Sequence, residues 1–203
     1  MVRAVAILVL CVLVAAPTAA MDARVRSVDA GTDVVVAAVE VSDVVPRSFV
    51  RVVDEGNTLY MRLQAELWEN RPTWDRLVYP ALVRAFRIVK RGTPAELVVA
   101  DEAGAEQRAA SGSFATTLTL GKSDRIAASG KYYVRLVATV GTVADRDIDR
   151  FNDAVFGRES DGGSAVAFGR FLMRSVLQLS DYLESVSAEA KGRAVSGREL
   201  LHR

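Results

Sequence analysis

The sequence predicts an α+β protein: an antiparallel, β-rich, sandwich-like domain followed by a long C-terminal amphipathic helix. Three observations predict it. Apolar and polar residues alternate through most of the stretch from 23 to 140, which is the period of half-buried strands. Gly, Pro and Asn punctuate that stretch where turns are needed. After residue 144 the apolar spacing lengthens to about three and a half, so the chain is strand-rich first and helical last.

The valine-rich runs 23–28 and 32–41, separated by Ala30-Gly31, predict a hairpin. Pro46 opens an expected short helix with Phe49, Val50 and Val53 on one side, closed by Gly56. The clearest strand is 57–68. Leu59, Met61, Leu63, Ala65 and Leu67 occupy one face, and Tyr60, Arg62, Gln64, Glu66 and Trp68 the other. Asn70 to Asp75 reads as a loop, because Pro72 cannot donate to an interior ladder. A strand is expected over 78–90, with Arg84 on the same face as Leu82, Phe86 and Ile88, and another over 95–100. Phe114 to Leu120 suits a strand by its threonines and a short helix by its length. Tyr132, Val134, Leu136, Ala138 and Val140 mark a last strongly alternating strand. Asp145 to Phe156 fits a short helix. Ser164 caps an expected long helix ending at Lys191, with Phe168, Leu172, Val176, Leu179, Leu183, Val186 and Ala190 as its apolar stripe and Gly192 as its stop. The stripe is expected to pack on the protein's own sheet, a partner helix or a membrane surface being the alternatives.

The first twenty residues read as a cleavable secretory signal. Arg3 supplies the positive region, Ala4 to Ala16 the apolar run, and Thr18 and Ala20 the small residues of a cleavage site. The run is shorter than the ~20 apolar residues a bilayer core requires. The expected organisation is a signal at 1–20, a β-rich domain at 21–144 and a helical segment at 145–203 packing on it, in the periplasm or outside the cell. The whole chain carries 26 basic and 25 acidic residues, and Arg3 leaves with the signal, so the mature chain is formally neutral. Without a dense basic cluster it lacks the electrostatic footprint of a nucleic-acid binder, and attraction to anionic lipid is expected to be weak. Cys11 lies in the leader, so the mature chain has no thiol to cross-link.

The inventory leaves little room for common catalytic arrangements. The one histidine, His202, is next to last, which removes the base of a Ser-His-Asp triad and the imidazole set of a catalytic zinc. No Walker loop or dinucleotide fingerprint occurs. Asp145, Asp147 and Asp149 have the spacing of a calcium loop, yet Arg150 stands where that loop needs Gly and Phe156 where it needs Glu. Together with Asp153, Glu159, Asp161 and the interleaved Arg146, Arg150 and Arg158, they read as a salt-bridged, solvated face. No catalytic, cofactor-binding or metal-ligating residue is therefore expected, and no cofactor. Trp68 and Trp74 flank the Arg71-Pro72 loop and are the candidate partner-binding residues. The alternative is that they cover the edge of a core with the indole N–H satisfied by loop backbone.

Three stretches carry a family resemblance. A valine-rich strand leads into Val44 to Glu55, then Gly56-Asn57 and the alternating strand Leu59 to Leu67. An aromatic-basic loop follows with Trp74-Asp75, and Gly130-Lys131-Tyr132-Tyr133-Val134-Arg135-Leu136 forms a late strand. From Val34 to about Val140 this order resembles the bacterial domain-of-unknown-function family 4390, whose members are small secreted envelope proteins. The chain differs from it in having Ala85-Phe86-Arg87 in place of the family's Tyr-Asp, and in its C-terminal end. The resemblance implies a β-rich, sandwich-like domain and supplies no catalytic residues. The expected function is that of a non-enzymatic envelope module binding another envelope protein. A periplasmic binder of apolar ligands or lipids is the alternative, and a carboxylate-based glycan hydrolase a third reading.

Overall fold

The computed structural model of the chain describes residues 20–31, 33–92, 96–142 and 185–201. Its strands are β1 (Asp22–Ala30), β2 (Val34–Ser42), β3 (Leu59–Glu69), β4 (Arg76–Leu77), β5 (Leu82–Arg91), β6 (Glu96–Ala100), β7 (Glu106–Arg108), β8 (Phe114–Lys122), β9 (Lys131–Gly141), β10 (Ser185–Lys191) and β11 (Val195–Ser196). Two short helices are α1 (Val50–Asp54), preceded by a 3-10 turn over Arg47–Phe49, and α2 (Gly197–Leu201). The pairings are antiparallel and build two sheets. One has the order β1-β2-β8; the other runs β10-β9-β3-β5-β6-β7, with β11 added to β9 and β4 to β3.

Alternation decides what is buried. Leu59, Met61, Leu63, Ala65 and Leu67 of β3 and Val134, Leu136, Ala138 and Val140 of β9 all point to one side. They share a single core with Val35, Ala37, Val39 and Val41 of β2 and with Phe114, Leu118 and Leu120 of β8. The two sheets thus bury their inner faces against each other, and α1 adds Phe49 and Val53 to that core while α2 adds Leu200. On β1 the register shifts between Val25 and Ser27, so the inward set changes from Ala23 to Val28 and Ala30; a bulge inserts one residue and flips the parity of all that follow.

The hairpin, the strand through 59–67, the short helix after Pro46 and the alternating strand through 132–140 form where the sequence predicts them. Gly56 ends the helical turn with φ at 85°, a left-handed conformation that costs glycine little. Phe114–Lys122 is a strand, because its alternation pairs it with β2. The strand expected from residue 78 begins only at Leu82: Pro80 interrupts the ladder, although Val78 and Tyr79 are buried. Arg84 has the parity of Phe86 and Ile88 but is exposed. Its guanidinium reaches Glu102 at 3.1 Å, while the same carboxylate accepts the Ala85 N–H that β6 is too short to pair.

The C-terminal end corrects the expected long helix. Residues 185–191 form β10, pairing with β9 from Ser185 opposite Gly141 to Lys191 opposite Arg135. Val186 and Ala190 satisfy a helical step of four, but with Ala188 they satisfy the strand period equally. In the fold they pack on the inter-sheet core while Ser187 and Glu189 face out. A bare β9 edge with unpaired N–H and C=O groups decides between the two. Residues 164–184 of the expected helix, the 145–156 helix with its aspartates, the leader with Cys11, and His202 lie outside the described residues. Among the described residues no helix is long and apolar enough to cross a membrane.

Candidate functional site

The second face of the β9-β3 pair carries a connected polar layer. Its order follows from register: Trp68 stands opposite Tyr133, Glu66 opposite Arg135, Gln64 opposite Val137 and Arg62 opposite Thr139. Along β3, Arg62 donates to Gln64 at 2.6 Å, Gln64 to Glu66 at 2.7 Å, and the Trp68 indole N–H to Glu66 Oε2 at 2.9 Å. Across the strands, Arg135 grips Glu189 of β10 with two bonds of 2.6 and 3.0 Å. Its guanidinium also lies 3.9 Å from Glu66. Thr139 and Ser187 hydroxyls meet at 2.9 Å.

This layer ends at the loop that joins β3 to β4, and there it becomes an anchor. The Tyr133 hydroxyl donates to Asp75 Oδ2 at 2.6 Å, and Asp75 Oδ1 accepts the Arg71 N–H at 3.2 Å. Glu69 accepts from Arg71 at 2.7 Å and from Arg76 at 2.9 Å, clamping both ends of the loop to one carboxylate. Asn70 N–H bonds to Lys131 carbonyl at 2.8 Å, and Val78 N–H to Leu67 carbonyl at 2.9 Å. Lys191 sits 3.9 Å above the Tyr133 ring, a cation–π contact between β10 and β9.

Held by these bonds, Trp74 projects into solvent with 76% of its surface exposed, and Leu77 two residues beyond the anchor is 39% exposed. Most of the large apolar side chains in the described residues are buried, so an exposed indole on a pinned loop stands out. Trp68, the other residue singled out in the sequence, is partly buried. A carboxylate, and not loop backbone, satisfies its N–H. The structure therefore gives the two tryptophans different parts: Trp68 belongs to the sheet face and Trp74 is presented outward.

Electrostatics at the anchor favours charged carboxylates. The Tyr133 hydrogen bond, then the Arg71 amide, hold Asp75 below the usual aspartate range. Burial draws Glu69 upward, but hydrogen bonds and charge from Arg71 and Arg76 outweigh it and leave it lowered. The Arg135 bond lowers Glu189. Burial, then the bond to Asp75, pushes the Tyr133 phenol up to about 12. Carboxyls held in this way accept hydrogen bonds and pair cations; proton donation near neutral pH would need a raised carboxyl. Among the described residues no group of three or more His, Cys, Asp or Glu side chains is arranged to hold a metal ion.

Sequence reasoning found Trp74 but missed the residues that position it: Tyr133, Asp75, Glu69 and Lys191. A signal for Tyr133 exists in the sequence. With Tyr132, Val134 and Leu136 inward, Tyr133 falls on the outer face beside Arg135, and a Tyr there needs a polar partner. Its partner, 58 residues earlier in the chain, is set by strand pairing alone. Comparison of the chain with protein-family models, with curated proteins and with solved structures found no match.

Proposed function

We propose that the protein is a non-enzymatic, exported interaction module of the bacterial cell envelope, which docks another envelope protein through the loop that carries Trp74. The observation that carries this reading is the exposed indole on a loop fixed from both ends. A side chain held in place before binding loses little entropy on contact. Covering an indole of this exposure contributes roughly 3 kcal/mol at ~25 cal/mol/Å². Tryptophan flanked by arginines, here Arg71 and Arg76, is also the composition of interface hot spots. Export rests on the leader at 1–20, and the resemblance to family 4390 supports the same compartment.

A photo-reactive amino acid at position 74, in cells that export the chain, tests the proposal. Irradiation is expected to capture an envelope protein reproducibly. Trp74→Ala is expected to abolish co-purification of that protein while changing stability by less than about 0.5 kcal/mol, as for a surface position. No reproducible envelope partner, or capture undiminished by Trp74→Ala, would refute the reading.

A further inference from the structure

The Trp74 loop sits among cations. At the end of the larger sheet that carries it, Arg71, Arg76, Lys131, Lys191 and Arg193 are all exposed. The loop's own carboxylates, Glu69 and Asp75, are already occupied. The Glu69 side chain is only 13% exposed, and its Oε2 accepts from Nε and Nη2 of Arg71 and from Nε of Arg76. The two oxygens of Asp75 accept from the Tyr133 hydroxyl and the Arg71 N–H. Lys131 shares the outer face with Tyr133 by alternation, and its carbonyl takes the Asn70 N–H that opens the loop. Lys191 lies over the Tyr133 ring, and Arg193 follows it two residues on. Among the described residues neither Lys131 nor Arg193 is in an ion pair, and Nη1 of Arg71 and both Nη atoms of Arg76 make no hydrogen bond. One row further into the sheet Arg135 faces Glu66 and Glu189, so the excess positive charge is confined to the loop end.

The rest of the mature chain adds no general attraction for anions, because overall it is formally neutral. What the loop end offers is local: guanidinium edges held in one orientation by Glu69, beside a bare indole. A fixed planar fork of donors matches carboxylates, whose oxygens it can engage in pairs. Insertion into a lipid surface calls for a broader apolar face than one indole with the half-covered Leu77 beside it.

We infer that the partner docked at Trp74 presents an acidic protein segment, whose Asp and Glu side chains meet Arg71, Arg76, Lys131 and Arg193 around an apolar residue seated on the indole. This rests on the docking role proposed above and adds the chemistry of the partner to it.

Charge reversal tests the two separately. With the photo-reactive amino acid at position 74, Lys131→Glu combined with Arg193→Glu is expected to cut capture of the partner at least about tenfold. Arg47→Glu combined with Arg51→Glu, on the helical turns that precede β3, is expected to leave capture unchanged. The partner peptide linked at 74 should carry more Asp and Glu than Lys and Arg. Should the Lys131 and Arg193 variant fail to fold by circular dichroism, that peptide, synthesised and titrated into the purified wild-type mature protein, decides: its Kd should rise at least about tenfold between ~50 and ~300 mM NaCl. Undiminished capture, equal loss in both charge-reversed pairs, a linked peptide without excess acid, or binding indifferent to salt would overturn the inference and leave docking at Trp74 standing. Links from 74 only to phosphatidylglycerol would put a lipid surface there and overturn it too. No capture at 74 removes both.

Discussion

Replacing Tyr133 by phenylalanine removes one oxygen and keeps the ring, so it isolates the bond that ties β9 to the loop carrying Trp74. The phenol donates to an ionised acceptor at 2.6 Å. Such a bond contributes about 1.5–3 kcal/mol when buried; Asp75 is partly exposed, so a loss of about 1–1.5 kcal/mol at pH 7 is expected for Tyr133→Phe. The pH dependence carries a second, independent signature. A phenol raised to about 12 contributes stability that is fully present below pH ~10 and is lost as the pH climbs from there toward the folded value. At about 1.4 kcal/mol per unit the full loss is at most roughly 2–3 kcal/mol. On the acid side, Asp75 is held low by the same bond, so its contribution is present above pH ~4 and disappears as pH falls through its lowered value. Urea unfolding followed by tryptophan fluorescence, repeated from pH 3 to 11.5, measures both limbs. The wild-type advantage over Tyr133→Phe should be largest between pH ~5 and 9, shrink as the pH falls toward ~3, and shrink and then reverse toward pH ~11.5, where the cost of burying a phenolate adds to the lost bond. A difference under about 0.5 kcal/mol at pH 7, or a gap that stays constant to pH 11.5, would refute the reasoning.

Leu63 lies in the middle of β3 with no exposed surface, so Leu63→Ala should cost about 2–5 kcal/mol in the same urea experiment; a cost below ~1 would mean the two sheets close over the space. Gly197 opens α2, and a Cβ there would overlap the Ala127 carbonyl, a backbone atom that cannot swing aside. Gly197→Ala should therefore destabilise by roughly 2 kcal/mol, or free β11 and α2 from β9 with faster amide exchange at Gly197, whose N–H bonds to Gly130. Unchanged stability together with unchanged exchange would contradict this packing.

Much of the architecture was legible because the strand period is two and needs no partner to be read. From alternation alone, Leu59 to Leu67 and Tyr132 to Val140 are inner rows and Trp68 is an outer residue; of the Ala30-Gly31 pair expected to separate the first two strands, Gly31 follows the end of β1 while Ala30 is still its last, buried residue. Proline and glycine added the loop at Arg71-Pro72 and the stop at Gly56, since each fixes or frees a local dihedral whatever lies around it. The exposure of Trp74 and the bonds that fix it were decided only in three dimensions. Tyr133, Asp75 and Lys191 come from three distant parts of the chain, and antiparallel register brings them together. The same holds for Ser185 to Lys191. Its residues fit either period, and the unpaired edge of β9 selects the strand, because backbone groups left without partners cost more than a local propensity contributes.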